Sequence, residues 1–165
     1  MALVAATKII TQLGLVPHPE GGYFRELHRG AETVVHSDGR IRSSGTLIYF
    51  LLEVGSVSRW HVVQSDEYWV HVDGAPLALH QAGPNSYFRA HLGPPSQGLS
   101  GATVVPAGTW QAAASLGEAG QWSLVSCAVA PGFDFTDFAL FDPAEPSHEF
   151  LRQVAGEAGD TFFGE

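Results

Sequence analysis

The sequence predicts an all-β protein, a small antiparallel sandwich or barrel with helices only near its two ends. Three observations carry this. From about Tyr23 to Phe138 the chain breaks into short β-rich runs separated by Gly, Pro, Asn, Asp and Ser at near-regular spacing, the cadence of sheets folded back on each other rather than of alternating strands and helices. Helix-like periodicity is confined to the first fifteen residues and to the region after Asp142. A chain of 165 residues with 45% hydrophobic side chains is long enough to close one core unaided, so a single domain over residues 1–165 is expected.

Taken in order, residues 5–13 contain helix formers with Ile9, Ile10 and Leu13 on one side and Gly14 where a helix would stop. Strand-length runs follow at residues 23–29, 46–53, 57–63, 67–72, 75–81, 87–92, 102–105, 110–114 and 122–130. Residues 93–101, rich in Pro, Gly and Ser, are the expected long loop, and the apolar strands on both sides argue against a domain boundary there. Asp142, Pro143 and Glu145 mark a helix start, residues 149–154 a short closing helix, and residues 156–165 a tail expected to fray or dock loosely.

Composition removes several classes of function. The net charge of −9 opposes nucleic-acid binding, which needs clustered Lys and Arg to release counterions. Seven of the eight bases lie in residues 1–89, so an anionic ligand would have to be held by arginines of the first half. Lys8, the single lysine, makes a poor Schiff-base candidate. No apolar run is long enough to span a bilayer, and the first fifteen residues lack the features of a secretory signal, so a cytoplasmic, membrane-free protein is expected. Cys127 stands alone, which excludes an internal disulfide and reads as a buried strand cysteine.

The densest chemical signal is Gly55, five residues, His61, Val62, Val63, three residues, Glu67, six residues, Gly74, with Pro106, Ala107, Gly108, Thr109, Trp110, Gln111 further on. Period-two alternation puts Arg59, His61 and Val63 on one strand face and Glu67, Trp69 and His71 on one face of the next. With Gln64 to Asp66 as a hairpin tip, His61 and Glu67 become cross-strand neighbours within hydrogen-bonding reach. Imidazole changes charge near neutral pH, and an inward carboxylate is costly unless paired, so both are candidate catalytic residues. Arg59 and Arg25 are candidate anion clamps, and Tyr49, Trp69, His71 and Gln111 candidate ligand contacts. Phe133, Asp134 and Phe135 are expected to close the barrel, whereas His18, His28, His36, His80, His91 and His148 share no convincing ligand spacing.

The two spaced motifs resemble those of the cupins. The wider run from Leu15 to Glu26, with Arg42 to Ser44, Ser58 to His61, Asp66, Glu67, Val105 to Gln111 and Ala130 to Phe135, resembles the cupin-5 type across nearly the whole chain. The resemblance implies a double-stranded β-helix, the cupin jelly-roll barrel, similar to the dTDP-sugar 3,5-epimerases and germins, usually as a homodimer. It implies no settled reaction. Metal-binding cupins use two His, a Glu and a third His; here the second His is Val63 and the third is Gln111. His61, Glu67 and Gln111 are what remains for a weak divalent site, and no tightly held metal or other cofactor is expected.

Three functions are therefore weighed. The first is a metal-independent sugar or sugar-nucleotide epimerase or isomerase in which His61 abstracts a proton next to a carbonyl, Glu67 orients it, and Tyr49 or Tyr23 returns a proton. The second is a non-catalytic module holding an anionic sugar, nucleotide or small acid. The third is a metal-dependent oxygenase or isomerase.

Overall fold

The computed structural model describes residues 5–164. In chain order the elements are helix α1 (Ala6–Leu13), strands β1 (Val16–Pro17), β2 (Tyr23–Arg29), β3 (Thr33–Val35), β4 (Ile41–Ser43), β5 (Thr46–Glu53), β6 (Val57–Val63), β7 (Asp66–Gly74), β8 (Leu77–Gly83), β9 (Ser86–Leu92), β10 (Ala102–Val105), β11 (Trp110–Ser115), β12 (Trp122–Ala130) and β13 (Phe138–Leu140), and helix α2 (Phe150–Ala155). One sheet runs β1-β2-β5-β12-β7-β10, a facing sheet runs β13-β6-β11-β8-β9, and β3 and β4 form a separate hairpin. All ladders between these strands are antiparallel. The two-sheet, mostly β architecture is the jelly-roll expected from the sequence.

Alternation along β5 and β12 sends Phe50, Leu52, Val125 and Cys127 inward, where they meet Trp69 and Val105 of their own sheet and Leu77, Leu79 and Ala113 of the facing one. Each such large side chain contributes on the order of 1.5–3 kcal/mol by leaving water. This core ends at Phe50, Trp69 and Cys127, which also border a cavity. On the outside of the six-stranded sheet, Ala6, Ile9, Ile10 and Leu13 of α1 pack with Leu15, Leu51, Trp122 and Leu124. The helix stops at Gly14, whose left-handed φ of 63° lets its N–H turn back to the Ile10 and Thr11 carbonyls.

The C-terminal tail departs from expectation. Residues 156–162 form a 3-10 turn rather than a loose end, and Phe162 and Phe163 are buried against Trp60 on the outer face of the five-stranded sheet, together with Leu151 and Ala155 of α2. The Trp60 indole N–H donates to the Gly159 carbonyl at 3.3 Å. Aromatic residues two-thirds of the way through a glycine-containing tail were enough to dock it; Glu165 lies outside the described residues.

Two backbone features decide what the cavity sees. First, β6 and β7, adjacent in sequence, lie in different sheets, so Gln64 to Asp66 are a crossing between layers and not a hairpin tip. Second, β6 carries one extra residue against β11: His61 pairs with Gln111 and Ser58 with Ala113, so three residue steps on β6 match two on β11. This β-bulge shifts the alternation, and Ser58 rather than Arg59 shares the inward side with His61.

Candidate active site

The cavity, of about 240 Å³, lies between the sheets and is lined by His18, Glu20, Phe24 and Glu26 from the N-terminal segment, by Phe50 of β5, His61 and Val63 of β6, Glu67 and Trp69 of β7, Cys127 of β12, and Phe133 to Phe135 at its mouth, among others. Its centre is a cluster of buried titratable side chains.

His61 is 2% exposed and its Nδ1 lies 2.8 Å from the Arg59 carbonyl oxygen. A carbonyl only accepts, so Nδ1 carries a proton and Nε2 is the nitrogen free to exchange one. That Nε2 sits 3.2 Å from Glu20 Oε2. A neutral His61 against an ionised Glu20 would set two lone pairs face to face, so the pair holds one proton between them. Glu20 Oε1 accepts from the Ser58 hydroxyl at 2.8 Å. His18 Nδ1 accepts the Glu20 backbone N–H at 3.3 Å and lies 3.4 Å from Glu20 Oε2. Burial pushes the Glu20 carboxyl up to about 6, against the opposing pull of His18 and Ser58, and burial likewise lowers both imidazoles.

The loop that delivers Glu20 is fixed by close approach to β6. The Arg59 N–H donates to the Glu20 carbonyl at 2.9 Å. Gly21 has φ 111°, and a Cβ there would stand 2.1 Å from the Val57 carbonyl oxygen, so only glycine fits.

Glu67 faces the cavity from the opposite sheet. Its Oε2 accepts from Gln111 Nε2 at 2.5 Å, and the Cys127 thiol donates to the same carboxyl. Gln111 Oε1 in turn accepts the Trp69 indole N–H at 3.0 Å. Burial is the main cause that raises Glu67 to about 7, with the nearby His61 opposing it and Glu20 adding to it. Burial also raises the Cys127 thiol well above its usual range, so it stays a neutral donor.

Of the residues singled out in the sequence, the structure brings His61, Glu67 and Trp69 to the cavity, with Gln111 behind the last two. The expected His61–Glu67 contact is replaced by His61 with Glu20 and Glu67 with Gln111, because the two strands belong to facing sheets. The bulge turns Arg59 out of the cavity, where its Nη2 donates to the Pro19 carbonyl at 2.6 Å. Arg25 donates to the Leu13 carbonyl at 3.0 Å and Tyr49 packs in the α1 cluster, both on the outer side of β2 and β5. His71 lies beyond the lining, its Nε2 3.1 Å from the Ala75 carbonyl, next to a second bulge in β7. Sequence spacing missed His18, Glu20, Glu26, Arg29 and Ser58; the doublet Gly21-Gly22 after Glu20 was the available signal of a backbone bent against another strand.

The donor set does not suit a metal of the kind cupins hold. Val63 offers no ligand, and the Gln111 amide oxygen is taken by Trp69 while its nitrogen faces Glu67. Among the described residues no group of three His, Cys, Asp or Glu is arranged for an ion. No step below passes through a metal.

A two-sheet jelly-roll with an enclosed, acid-and-imidazole-lined lumen is the architecture of a small cupin. The comparisons are specific: the profile of the family Cupin_5, cupin superfamily (DUF985), matches residues 7–141, and the chain belongs to that family. It is similar to a hypothetical protein from Leishmania major, with 34% identity over 96% of this chain and 97% of that one at a TM-score of 0.82. It is also similar to a protein from Shewanella oneidensis, with 31% identity over 95% and 94% of the two chains at a TM-score of 0.79. The capsular polysaccharide assembling protein CapF from Staphylococcus aureus shares the fold alone, with 12% identity over 78% of this chain and 31% of that one at a TM-score of 0.57. No curated protein matches the sequence.

Proposed function

We propose that the protein is a small-molecule isomerase or epimerase that moves protons without a metal, acting on a sugar or similar polyhydroxy carbonyl compound. The observation that carries this is the 3.2 Å contact between Glu20 Oε2 and His61 Nε2 inside a cavity, with Glu67, raised to about 7, on the facing sheet. Two acid–base centres with separate partners across one cavity are what proton abstraction and return on a bound carbon require. With the shared proton on Glu20, His61 Nε2 takes a proton from the carbon next to the carbonyl, and the electron pair left behind moves onto the carbonyl oxygen. Glu67, protonated below about pH 7, delivers one from the other side, and exchange with solvent at the mouth resets both. Glu20 thus takes the orienting role given to Glu67 on spacing alone, and Glu67 replaces the tyrosine, since neither Tyr49 nor Tyr23 lines the cavity.

The test is hydrogen exchange: neutral aldoses and ketoses are incubated in D2O with the protein, and C–H loss is followed by NMR. Exchange at one carbon, reduced about 100-fold or more in His61→Asn and in Glu67→Gln, is the expected result. Binding with no exchange on any compound would make the protein a binding module instead.

Homodimer formation and a cytoplasmic setting belong to the same proposal. Tyr68, Val70, Val72 and Val104 leave an exposed apolar stripe on the outer six-stranded sheet, which supports a second copy there, and light scattering tests it. The single cysteine, free and buried, suits a reducing compartment. No helix among the described residues is long and apolar enough to cross a membrane.

A further inference from the structure

We infer that the cavity takes an uncharged polar molecule about the size of one sugar ring and turns away anions. This rests on reading the cavity as a small-molecule site, but not on the proton transfer proposed for it. It also reverses the anionic ligand that arginine content suggested.

The charges that line the cavity are mostly negative. Four carboxyl groups face it, those of Glu20, Glu26, Glu67 and Asp134, against the single guanidinium of Arg29. Arg29 is engaged on both edges: Nε and Nη2 donate to the two Glu26 oxygens at 3.1 and 2.7 Å, and Nη1 donates to the Phe133 carbonyl at 3.0 Å. An anion at Arg29 must sit beside the Glu26 carboxylate that already neutralises it. Asp134 is held ionised at the mouth by the Thr136 hydroxyl and backbone N–H, which lower its pKa. Both imidazoles are biased to the neutral form by burial.

The other arginines of the first half lie elsewhere. Arg25 and Arg59 bind the backbone carbonyls of Leu13 and Pro19, Arg40 and Arg42 both pair with Asp137, and Arg89 stands on β9, the edge strand of the five-stranded sheet, outside the lining. Arg29 is thus the one guanidinium among the described residues that line the cavity, and three of its five N–H donors are taken. The inner carboxyls are not a strong cation trap either, because Glu67, raised to about 7, is about half neutral at pH 7, and Glu20 is within 3.2 Å of the His61 Nε2 with which it shares a proton. What they offer, with His18 and His61, is a set of hydrogen-bond donors and acceptors, among the apolar side chains of Phe24, Phe50, Trp69 and Phe133. At about 240 Å³ the space falls below the ~300–1,000 Å³ of drug-sized sites and leaves little room for a nucleotide.

Two measurements test this at pH 7. In the first, thermal shift and calorimetry compare three forms of one sugar on the wild-type protein: glucose, glucose 6-phosphate and glucosamine, with fructose and fructose 6-phosphate as a second set. The neutral member should bind at least tenfold more tightly than the phosphate; a phosphate or an amine that binds more tightly than its neutral parent overturns the inference. In the second, which needs no correct ligand, quenching of Trp69 fluorescence is read as the difference between wild type and Trp69→Phe. Acrylamide, which is neutral, should quench that component at least fivefold more effectively than iodide, each scaled to free tryptophan, and the double variant Glu26→Gln, Asp134→Asn should admit iodide. Equal quenching by iodide, or no quenching by either, overturns the inference, and this result decides if no sugar binds. Deuterium exchange on a phosphorylated sugar would sink the charge selectivity and leave proton transfer standing; iodide exclusion with no exchange on any compound would do the reverse.

Discussion

Replacing Glu67 by Gln should stabilise the protein above neutral pH, although it removes a buried hydrogen-bonded carboxyl. Burial raises the Glu67 pKa from 4.5 to about 7. A raised carboxyl pKa means that between those two values the native state binds the proton more tightly than the unfolded chain does, so stability falls as pH rises through that window. The shift of about 2.5 units, at ~1.4 kcal/mol per unit, makes the wild type lose ~3 kcal/mol from this group between pH 4.5 and 8. Gln is close in shape to the protonated acid and carries no charge to desolvate. The stability difference between Glu67→Gln and wild type should therefore be small at pH 4.5 and favour the variant by ~3 kcal/mol at pH 8, roughly 6–12 °C in Tm for a chain of this length. Taking the difference between the two proteins matters, because His18, His61 and His80, all lowered by burial, contribute stability that grows as pH rises toward 6.5 and would mask the effect in the wild type alone. Urea titrations at pH 4.5 and 8 are the assay. A variant equally destabilised at both pH values would contradict this, since it would show that the carboxylate is solvated or held by a partner at no cost.

Two further outcomes are expected. Gly21→Ala puts a methyl where the Val57 carbonyl stands and asks an L-residue to adopt φ 111°, so it should cost at least ~1–3 kcal/mol in urea unfolding and, by displacing Glu20, shift the His61 titration seen by NMR. Leu151→Ala empties a fully buried position under α2 and should cost ~2–5 kcal/mol while leaving ligand binding intact; loss of binding without loss of stability would contradict the separation of that outer cluster from the lumen.

Much of the barrel was legible because β5, β8 and β12 alternate or run apolar over lengths that only strands use, with turn residues between them. The first half of the site, His61 and Glu67, was legible from spacing that holds over twenty residues. What spacing did not carry was the third dimension. Two consecutive strands with a short polar connection look the same whether they pair or step to the facing sheet, so His61 was matched with Glu67 and not with Glu20. Parity fails wherever a strand gains a residue, which is why alternation alone counts Arg59 inside and Ser58 outside. Glu20 sits between His18-Pro19 and Gly21-Gly22, with none of the periodicity by which strand residues announce their facing; its role comes from a loop pressed against β6.

The extra residue in β6 lets one strand serve two cores at once. Without it, the lumen-facing series would run through Arg59 and the outward series through Ser58 and Trp60; with it, Ser58 and His61 meet Glu20 inside while Trp60 reaches Phe162 and Phe163 outside. A change that made β6 pair regularly with β11 while keeping every residue of β6 would thus act as a frameshift in space. Every side chain from residue 58 back to the start of the strand would exchange inside for outside, separating Ser58 from the carboxyl it supports without altering a single cavity residue in the sequence.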